Sequence, residues 1–484
     1  MYPGPNETVL QAQARVCTGP HQTRPLGVDP DGPQPLKILE LILDSVRGSL
    51  PYANAVSQIQ MGAFFGAMTI RKGFPEKTNW SEAERAAFKE LGPKMQRDLP
   101  PDLKFLLDPS SRCKPLNIVE KEVIDALVLI LAGNHLTYDQ TRKMASSILG
   151  QEVRESLKGA ALIGQRMNLE TFDEARGYLD AAFDPENILE VATPSLTHFG
   201  EPYDGSRRYF RPTIFIAAVR AALGRPTLIH GTDQMPPKYG VTDEQIFSTL
   251  GAGREITLSQ ASTLVEDSSV GFAFLSQRIY SPGAYAAREL RRHIQKRPPW
   301  AATEKAQMLL RSSGSNHMVI GYYHSGYEDL FLNLIEDHGL ESALVARGLE
   351  GCSHYSLKYS KPSDSDHKAM NFTMGTKKST TGFSRYSVDV DTRKFGFSYS
   401  QHPRPESVSP TAFAKMGLEA LSGQKGEVFD QIVLNVGLKD HLLGFCPDPM
   451  ESIVLASDAI LSGKALAHFN AYIQKSVPRP PGSD

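Results

Sequence analysis

The stretch Gly200-Glu201-Pro202-Tyr203-Asp204-Gly205-Ser206, followed by Arg207-Arg208-Tyr209-Phe210-Arg211-Pro212-Thr213, decides how this chain is read. It comes after a strand-like run and before a helix-like one. Pro212 sits just ahead of that helix, where a missing N–H is tolerated. A glycine-bearing turn feeding a helix N-terminus presents backbone N–H groups to an anion, and the helix dipole adds to the attraction. Arg207, Arg208 and Arg211 bring fixed positive charge beside the turn. An Asp-Gly turn alone is most often only a turn, so its surroundings must carry the argument.

Those surroundings alternate. Candidate strands are Leu189–Ala192, Pro226–Ile229 and Ala343–Arg347, and the helical runs between them include Thr213–Leu223 and Asp329–His338. Strand–helix alternation predicts an α/β fold with a mostly parallel sheet and flanking helices. Residues 356–381 are polar and rich in Lys, Ser and Asp, which reads as a loop. Within it, Asp364-Ser365-Asp366-His367 reads as a solvated charge run rather than a metal cluster. Arg385–Ser400 then alternates like a strand, and Thr411–Ile473 returns to helix.

Upstream, the period changes to helical. Residues 1–36 hold seven prolines and four glycines, a composition expected of a flexible arm. Residues 37–182 form a helical domain with two similar units, about 37–100 and 119–182. Val56–Arg71 echoes Val153–Asn168, with Gly62-Ala63 falling on Gly159-Ala160 at an offset of 159 − 62 = 97. Either duplication or shared small-residue packing would produce this likeness. Ser81-Glu82-Ala83-Glu84 reads as a capping box. The α/β domain is expected over 183–475, with a tail at 476–484.

Bulk properties narrow the function classes. The chain has 484 residues, 40% hydrophobic and 22% charged, with a formal net charge of −2. That balance neither recruits nor excludes polyanions as a whole-molecule effect, so any anion site must come from local clustering. Cys17, Cys113, Cys352 and Cys446 lack zinc or redox spacing and read as reduced thiols. No apolar run approaches the roughly 18 residues of a spanning helix. A cytoplasmic protein without membrane association is expected.

Further motifs give the turn its context. His230-Gly231 ends a strand, and Lys238-Tyr239-Gly240-Val241-Thr242-Asp243 follows. Together with Gly200, Asp204 and Gly205, these resemble three segments of the anthranilate phosphoribosyltransferases, in glycosyltransferase family 3. Those segments are a Gly-Thr-Gly-Gly-Asp loop, a Lys-His-Gly-Asn turn and a Lys-x-Gly-x-x-Asp run. The resemblance continues at Arg291 and Arg297, and at Gly423, Lys425-Gly426, Asp430, Leu434-Asn435 and Ser462–Ala465. It spans about residues 120–350 and 415–473.

The resemblance implies a phosphoribosyltransferase-like protein with its site in a cleft between helical and α/β domains. It implies phosphate or donor binding by Gly200, Asp204, Gly205, Ser206, Arg207, Arg208, Thr213, His230, Gly231 and Lys238, and acceptor binding by Arg291. Magnesium with phosphoribosyl pyrophosphate and a homodimer are implied as well.

The departures matter. The family's Asp-Glu magnesium pair is absent, and Ser353-His354 stands in its place within Arg347-Gly348-Leu349-Glu350-Gly351-Cys352-Ser353-His354. Two loop glycines are missing, and Ile229 and Thr232 replace the outer residues of the Lys-His-Gly-Asn turn. A divergent sub-branch is expected, transferring a phosphoribosyl or related group to an unidentified acceptor other than anthranilate. Tyr203 or Phe210 would weaken this reading by closing the turn. The alternative is a non-catalytic member that binds protein or nucleic acid, with Arg288, Arg291, Arg292, Lys296 and Arg297 near Tyr285 and Trp300 as the candidate surface.

Overall fold

The computed structural model describes residues 4–294, 296–361 and 370–477. The chain divides into a helical unit, Met1–Ala182 with Ala286–Ala301, and an α/β unit, Phe183–Tyr285 with Ala302–Asp484. Asp364-Ser365-Asp366-His367 and most of the 476–484 tail lie outside the described residues.

The helical unit holds α1 (Glu7–Val16), α2 (Pro35–Val46), α3 (Gln58–Arg71), α4 (Glu82–Asp98), α5 (Pro101–Leu107), α6 (Ile118–Leu131), α7 (Tyr138–Leu149), α8 (Glu155–Asn168) and α9 (Phe172–Ala182). The first finding is a correction. Residues 7–16 are a helix, not a flexible arm, because Val9, Ala12 and Val16 recur at helical spacing and are buried in the core of this unit. Asn6 caps α1 by accepting from the Val9 N–H at 3.2 Å, and its own N–H donates to Gln60 at 2.9 Å. The Pro and Gly content of the first 36 residues shapes the turns around this helix.

With α1 included, two equivalent four-helix sets appear: α1–α4 and α6–α9. In each, the first helix packs on the second and third, and the second packs on the fourth. The third helices coincide at the predicted offset (155 − 58 = 97 and 168 − 71 = 97). They cross at their glycines. A Cβ on Gly62 would lie 1.8 Å from the Ser156 carbonyl oxygen, and one on Gly159 would lie 2.3 Å from that of Ile59. Since 59 + 97 = 156 and 62 + 97 = 159, the contact is reciprocal, the pattern of a two-fold interface built within one chain.

The fourth helices repeat as well. Ser81 and Glu84 form the predicted capping box of α4, and Thr171 and Glu174 form one on α9. Each glutamate is buried, and each also accepts from a backbone N–H ahead of the second helix: Leu26 to Glu84 at 3.0 Å, Leu136 to Glu174 at 2.9 Å. Each further takes a side-chain donor from the third helix, Arg71 at 2.6 Å and Gln165 at 3.2 Å respectively.

The α/β unit has strands β1 (Leu189–Val191), β2 (Ser195–Gly200), β3 (Thr227–Gly231), β4 (Phe272–Ser276), β5 (Leu310–Ser312), β6 (Ser315–Gly321), β7 (Ser342–Ala346), β8 (Phe372–Ser379) and β9 (Gly382–Asp389). Seven form one sheet in the order β4-β3-β2-β6-β7-β8-β9, while β1 and β5 pair separately. The first five strands of the large sheet are parallel, as expected. The apolar runs of β2, β3, β4 and β7 are buried along their whole length, as parallel strands covered on both faces must be.

The predicted polar loop at 356–381 needs correcting at its end. Residues 372–379 form β8, antiparallel to β7, because that pairing buries Thr373, Gly375 and Thr376 and leaves Lys377 and Lys378 outside or at the margin. Among the described residues, no helix is long and apolar enough to cross a membrane.

Candidate functional site

In an open α/β sheet, ligands bind beyond the carboxyl ends of the strands, where the strand order reverses. Here that point lies between β2 and β6, with Gly200 opposite Ile320 and His230. The Gly200–Thr213 segment begins at this spot, ahead of helix α10 (Thr213–Ala222).

Three backbone bonds strap the turn to the Lys238–Asp243 segment. Ser206 N donates to Val241 O at 2.9 Å, Val241 N to Ser206 O at 2.8 Å, and Gly240 N to Asp204 O at 2.8 Å. Gly205 has φ 80°, and a Cβ on it would lie 2.3 Å from the Gly240 carbonyl carbon, so both glycines are required by this close approach. Lys238 lies 3.6 Å from the buried Asp204 carboxylate. The Lys-x-Gly-x-x-Asp spacing is thus a brace for the turn.

The interior of the turn is occupied by the chain itself. The Tyr203 ring is buried, with the Arg211 guanidinium 4.5 Å from its centroid and the Lys305 amine 5.5 Å. Its hydroxyl pairs with Ser206 Oγ at 3.0 Å. Lys305 is anchored by donating to the Gly321 and Gly351 carbonyls at 2.7 and 2.8 Å. A Cβ on Gly200 would lie 1.8 Å from the Lys305 carbonyl oxygen, so this glycine admits Lys305 rather than a ligand. Arg211, read from the sequence as fixed positive charge beside the turn, is fully buried and held by Glu201 at 3.2 Å and by Asp243. The reason is that low-dielectric surroundings require a buried guanidinium to be paired.

Thr213 meets the Ser353-His354 segment. Thr213 Oγ1 lies 2.5 Å from His354 Nε2, and Ser353 Oγ donates to Glu201 at 2.6 Å. Burial, helped by the charges of Arg211 and Lys439, holds the His354 imidazole far below its usual range and so neutral. Serine and a neutral imidazole already committed to hydrogen bonds do not offer the hard oxygen set that magnesium takes. Among the described residues there is no group of three His, Cys, Asp or Glu side chains arranged to hold a metal.

At the end of β3, His230 Nδ1 pairs with the Tyr280 hydroxyl at 3.3 Å, and burial lowers its pKa to about 3. His230 Nε2 and Thr232 Oγ1 have no hydrogen-bond partner among the described residues. Gly231 aligns with Ser276 of β4. Arg291 belongs to the helical unit, where it is buried with its guanidinium 6.0 Å from the Trp300 ring.

One part of the turn does hold an anion. The Glu350 carboxylate accepts from Arg207 N at 3.2 Å, from Arg208 N at 3.1 Å and from Arg208 Nε at 3.4 Å. Glu350 reaches this position with φ 57° and ψ 14°, a left-handed conformation rare for a residue with a side chain. No local pattern in the sequence marks this role for Glu350, since the fold alone carries it across 142 residues to Arg208.

Several contributors were not singled out from the sequence: Glu201, Lys305 and Lys439, and the insertion residues Lys358, His402 and Arg404. Lys439 is buried, donates to Asn435 Oδ1 and sits 4.5 Å from the Tyr355 ring centroid. None lies in a local pattern that distinguishes it from an ordinary surface polar residue.

Fold and turn together define the architectural class, that of the anthranilate phosphoribosyltransferases. The structure of the Thermus thermophilus enzyme superposes with a TM-score of 0.57 at 18% identity, covering 74% of this chain and 98% of that one. The Saccharomyces cerevisiae enzyme in complex with PRPP and Mg gives 0.59 at 16%, with the same coverage. In sequence, the chain is a divergent relative of these enzymes. It is 22% identical to the anthranilate phosphoribosyltransferase of Aquifex aeolicus over 363 residues, 73% of this chain and 98% of that protein. It is 25% identical to that of Bacillus cereus strain B4264 over 354 residues, 72% and 96%. No family model matches the chain.

Proposed function

We propose that this chain binds a phosphoribosyl-type donor at the Gly200–Thr213 segment and transfers a phosphoribosyl or related group to an acceptor other than anthranilate. The observation that carries the reading is the Glu350 carboxylate on the Arg207 and Arg208 N–H groups. A carboxylate held there marks a place where the backbone accepts negative charge, and the relatives in sequence are phosphoribosyltransferases.

Displacing a diphosphate from a ribosyl carbon builds negative charge on the leaving group, so the catalyst must position the donor and neutralise that charge. The yeast relative binds PRPP with Mg. Magnesium does not fit Ser353 and His354, so in this chain the Arg207 and Arg208 guanidiniums take the neutralising role, which bidentate pairing with phosphate suits. Lys238 lies beside the turn through its contact with Asp204, and His230 and Thr232 offer the unpartnered polar atoms at the end of β3.

A second reading has its own observation. The Tyr203 ring between Arg211 and Lys305 fills the turn, as a binding protein without turnover could tolerate. Calorimetric titration of phosphoribosyl pyrophosphate, with and without magnesium, separates the two. Transfer predicts saturable, magnesium-independent binding that Arg207→Ala/Arg208→Ala weakens about tenfold or more. No heat at millimolar donor would remove the transfer reading and leave the second.

A further inference from the structure

Around Tyr209 lies a cluster that the turn alone does not explain. Its ring is nearly buried, at 7% exposure, and packs with Tyr203, Leu349 and Cys352. The Arg208 guanidinium lies 5.4 Å from its centroid and that of Arg404 5.6 Å, while the His402 ring meets it edge-on at 6.0 Å. The backbone at Lys358 is tied to His402 through the Ser356 hydroxyl, which accepts from the Lys358 backbone N–H at 3.2 Å and pairs with His402 Nδ1. Burial, with the nearby Lys358 and Arg404 charges, holds the His402 imidazole below its usual range.

Two guanidiniums, those of Arg208 and Arg404, therefore share the Tyr209 ring, the Lys358 charge acts on His402 beside it, and Glu350 pairs with Arg208. Lys358 and Arg404 have no carboxylate partner among the described residues. Arg208 keeps half its side-chain surface exposed, at 52%. Two of the cations and the histidine come from residues 356–410, outside the stretches that resemble the phosphoribosyltransferases. Cations gathered around a rigid aromatic, beside two backbone N–H groups already holding an anion, are the elements of a phosphate site.

We propose that this cluster is a binding site for the terminal diphosphate of a small phosphorylated ligand, which displaces Glu350 from the Arg207 and Arg208 N–H groups. For those two N–H groups it rests on the donor-binding reading above; the contribution of the insertion is independent of it. With Glu350 displaced, the cations of Arg208, Lys358 and Arg404 match the roughly three charges of a terminal diphosphate. The left-handed Glu350 then acts as a tethered competitor that keeps the N–H groups paired in the ligand's absence.

The probe is inorganic pyrophosphate, titrated calorimetrically without divalent metal against four proteins: wild type, Lys358→Ala/Arg404→Ala, Glu350→Gln and Arg207→Ala/Arg208→Ala. Inorganic phosphate provides a second arm, and melting temperatures report folding. Wild type is expected to bind pyrophosphate saturably and phosphate about tenfold more weakly. The Lys358/Arg404 variant should lose about tenfold or more in affinity with its melting temperature kept. Glu350→Gln should bind several-fold more tightly.

Equal affinity in wild type and the Lys358/Arg404 variant overturns the site, as does the lack of binding by both wild type and Glu350→Gln at millimolar pyrophosphate. Failure here is distinguishable from failure of the transfer reading. Phosphoribosyl pyrophosphate binding that ignores Lys358 and Arg404 removes this site alone. Pyrophosphate binding that needs them, with no binding of the phosphoribosyl donor, removes the transfer reading alone.

Discussion

At the scale of single residues, the α/β unit is governed by what a buried charge requires. Lys439 is fully enclosed, and burial lowers its pKa from 10.5 to about 7. Between those two values the unfolded chain binds the proton and the folded chain does not, so this residue makes stability rise with pH from about 7 toward 10.5. The slope reaches about 1.4 kcal/mol per pH unit. Below pH 7 both states are protonated, and the full penalty of a buried ammonium is present. Lys439→Met removes the titrating group and leaves Asn435 Oδ1 accepting from Tyr355 N at 2.7 Å. The difference in melting temperature, variant minus wild type, should therefore shrink steadily from pH 7 to pH 9. Parallel curves would show that the amine is solvated, and the account of its burial would fail.

At the scale of elements, the α3–α8 crossing gives a test with an internal control. A methyl at Gly62 or Gly159 meets backbone carbonyl oxygen, which cannot rotate away, so the helices must separate. Gly62→Ala and Gly159→Ala should each destabilise by about 1–3 kcal/mol. Gly92, inside α4, has open space around its Cβ position apart from the following Pro93, so the gain in helix propensity and the strain of a Cβ before proline oppose one another, and Gly92→Ala should stay within about 1 kcal/mol of wild type. Thermal melts of the three variants decide it, and a Gly62→Ala protein as stable as Gly92→Ala would refute the close crossing.

This element scale is also where sequence was most legible. The 97-residue echo, the Ser81–Glu84 capping box and the strands at 189, 227 and 343 are local patterns, and local patterns are what periodicity records. α1 was hidden because its prolines and glycines lie in the surrounding turns and dominate the composition. β8 was hidden because its lysines sit at the exposed end of a strand in which only Thr373, Gly375 and Thr376 are buried. The turn at Gly200 was found, yet its contents were not. Tyr203, Glu201, Glu350 and Lys305 acquire their meaning from partners up to about 150 residues away, and no spacing rule reaches that far.

At the scale of the whole molecule, charge decides between ligands. The chain carries 52 basic and 54 acidic residues, so no global field draws it to a polyanion. The five cations at 288–297 looked in sequence like a local exception. Folding commits three of them elsewhere. Arg291 is buried over Trp300, Arg292 pairs with Glu289 at 3.3 Å, and burial lowers the pKa of Lys296. Trp300 is 1% exposed and Tyr285 bonds Asp233 at 3.1 Å, so the tryptophan cannot serve as a stacking platform.

A labelled single-stranded 20-nucleotide DNA should therefore bind, at 150 mM salt, no more tightly than the roughly 10⁻⁴–10⁻⁶ M of generic phosphate attraction. Fluorescence anisotropy at several salt concentrations would measure it. The exposed cations near Tyr209 are too few to neutralise a long phosphate chain, so excess pyrophosphate should compete away whatever weak binding occurs. Sub-micromolar affinity that falls steeply with salt and ignores pyrophosphate would mean that a basic surface elsewhere survives folding. The nucleic-acid reading would then displace the small-ligand one.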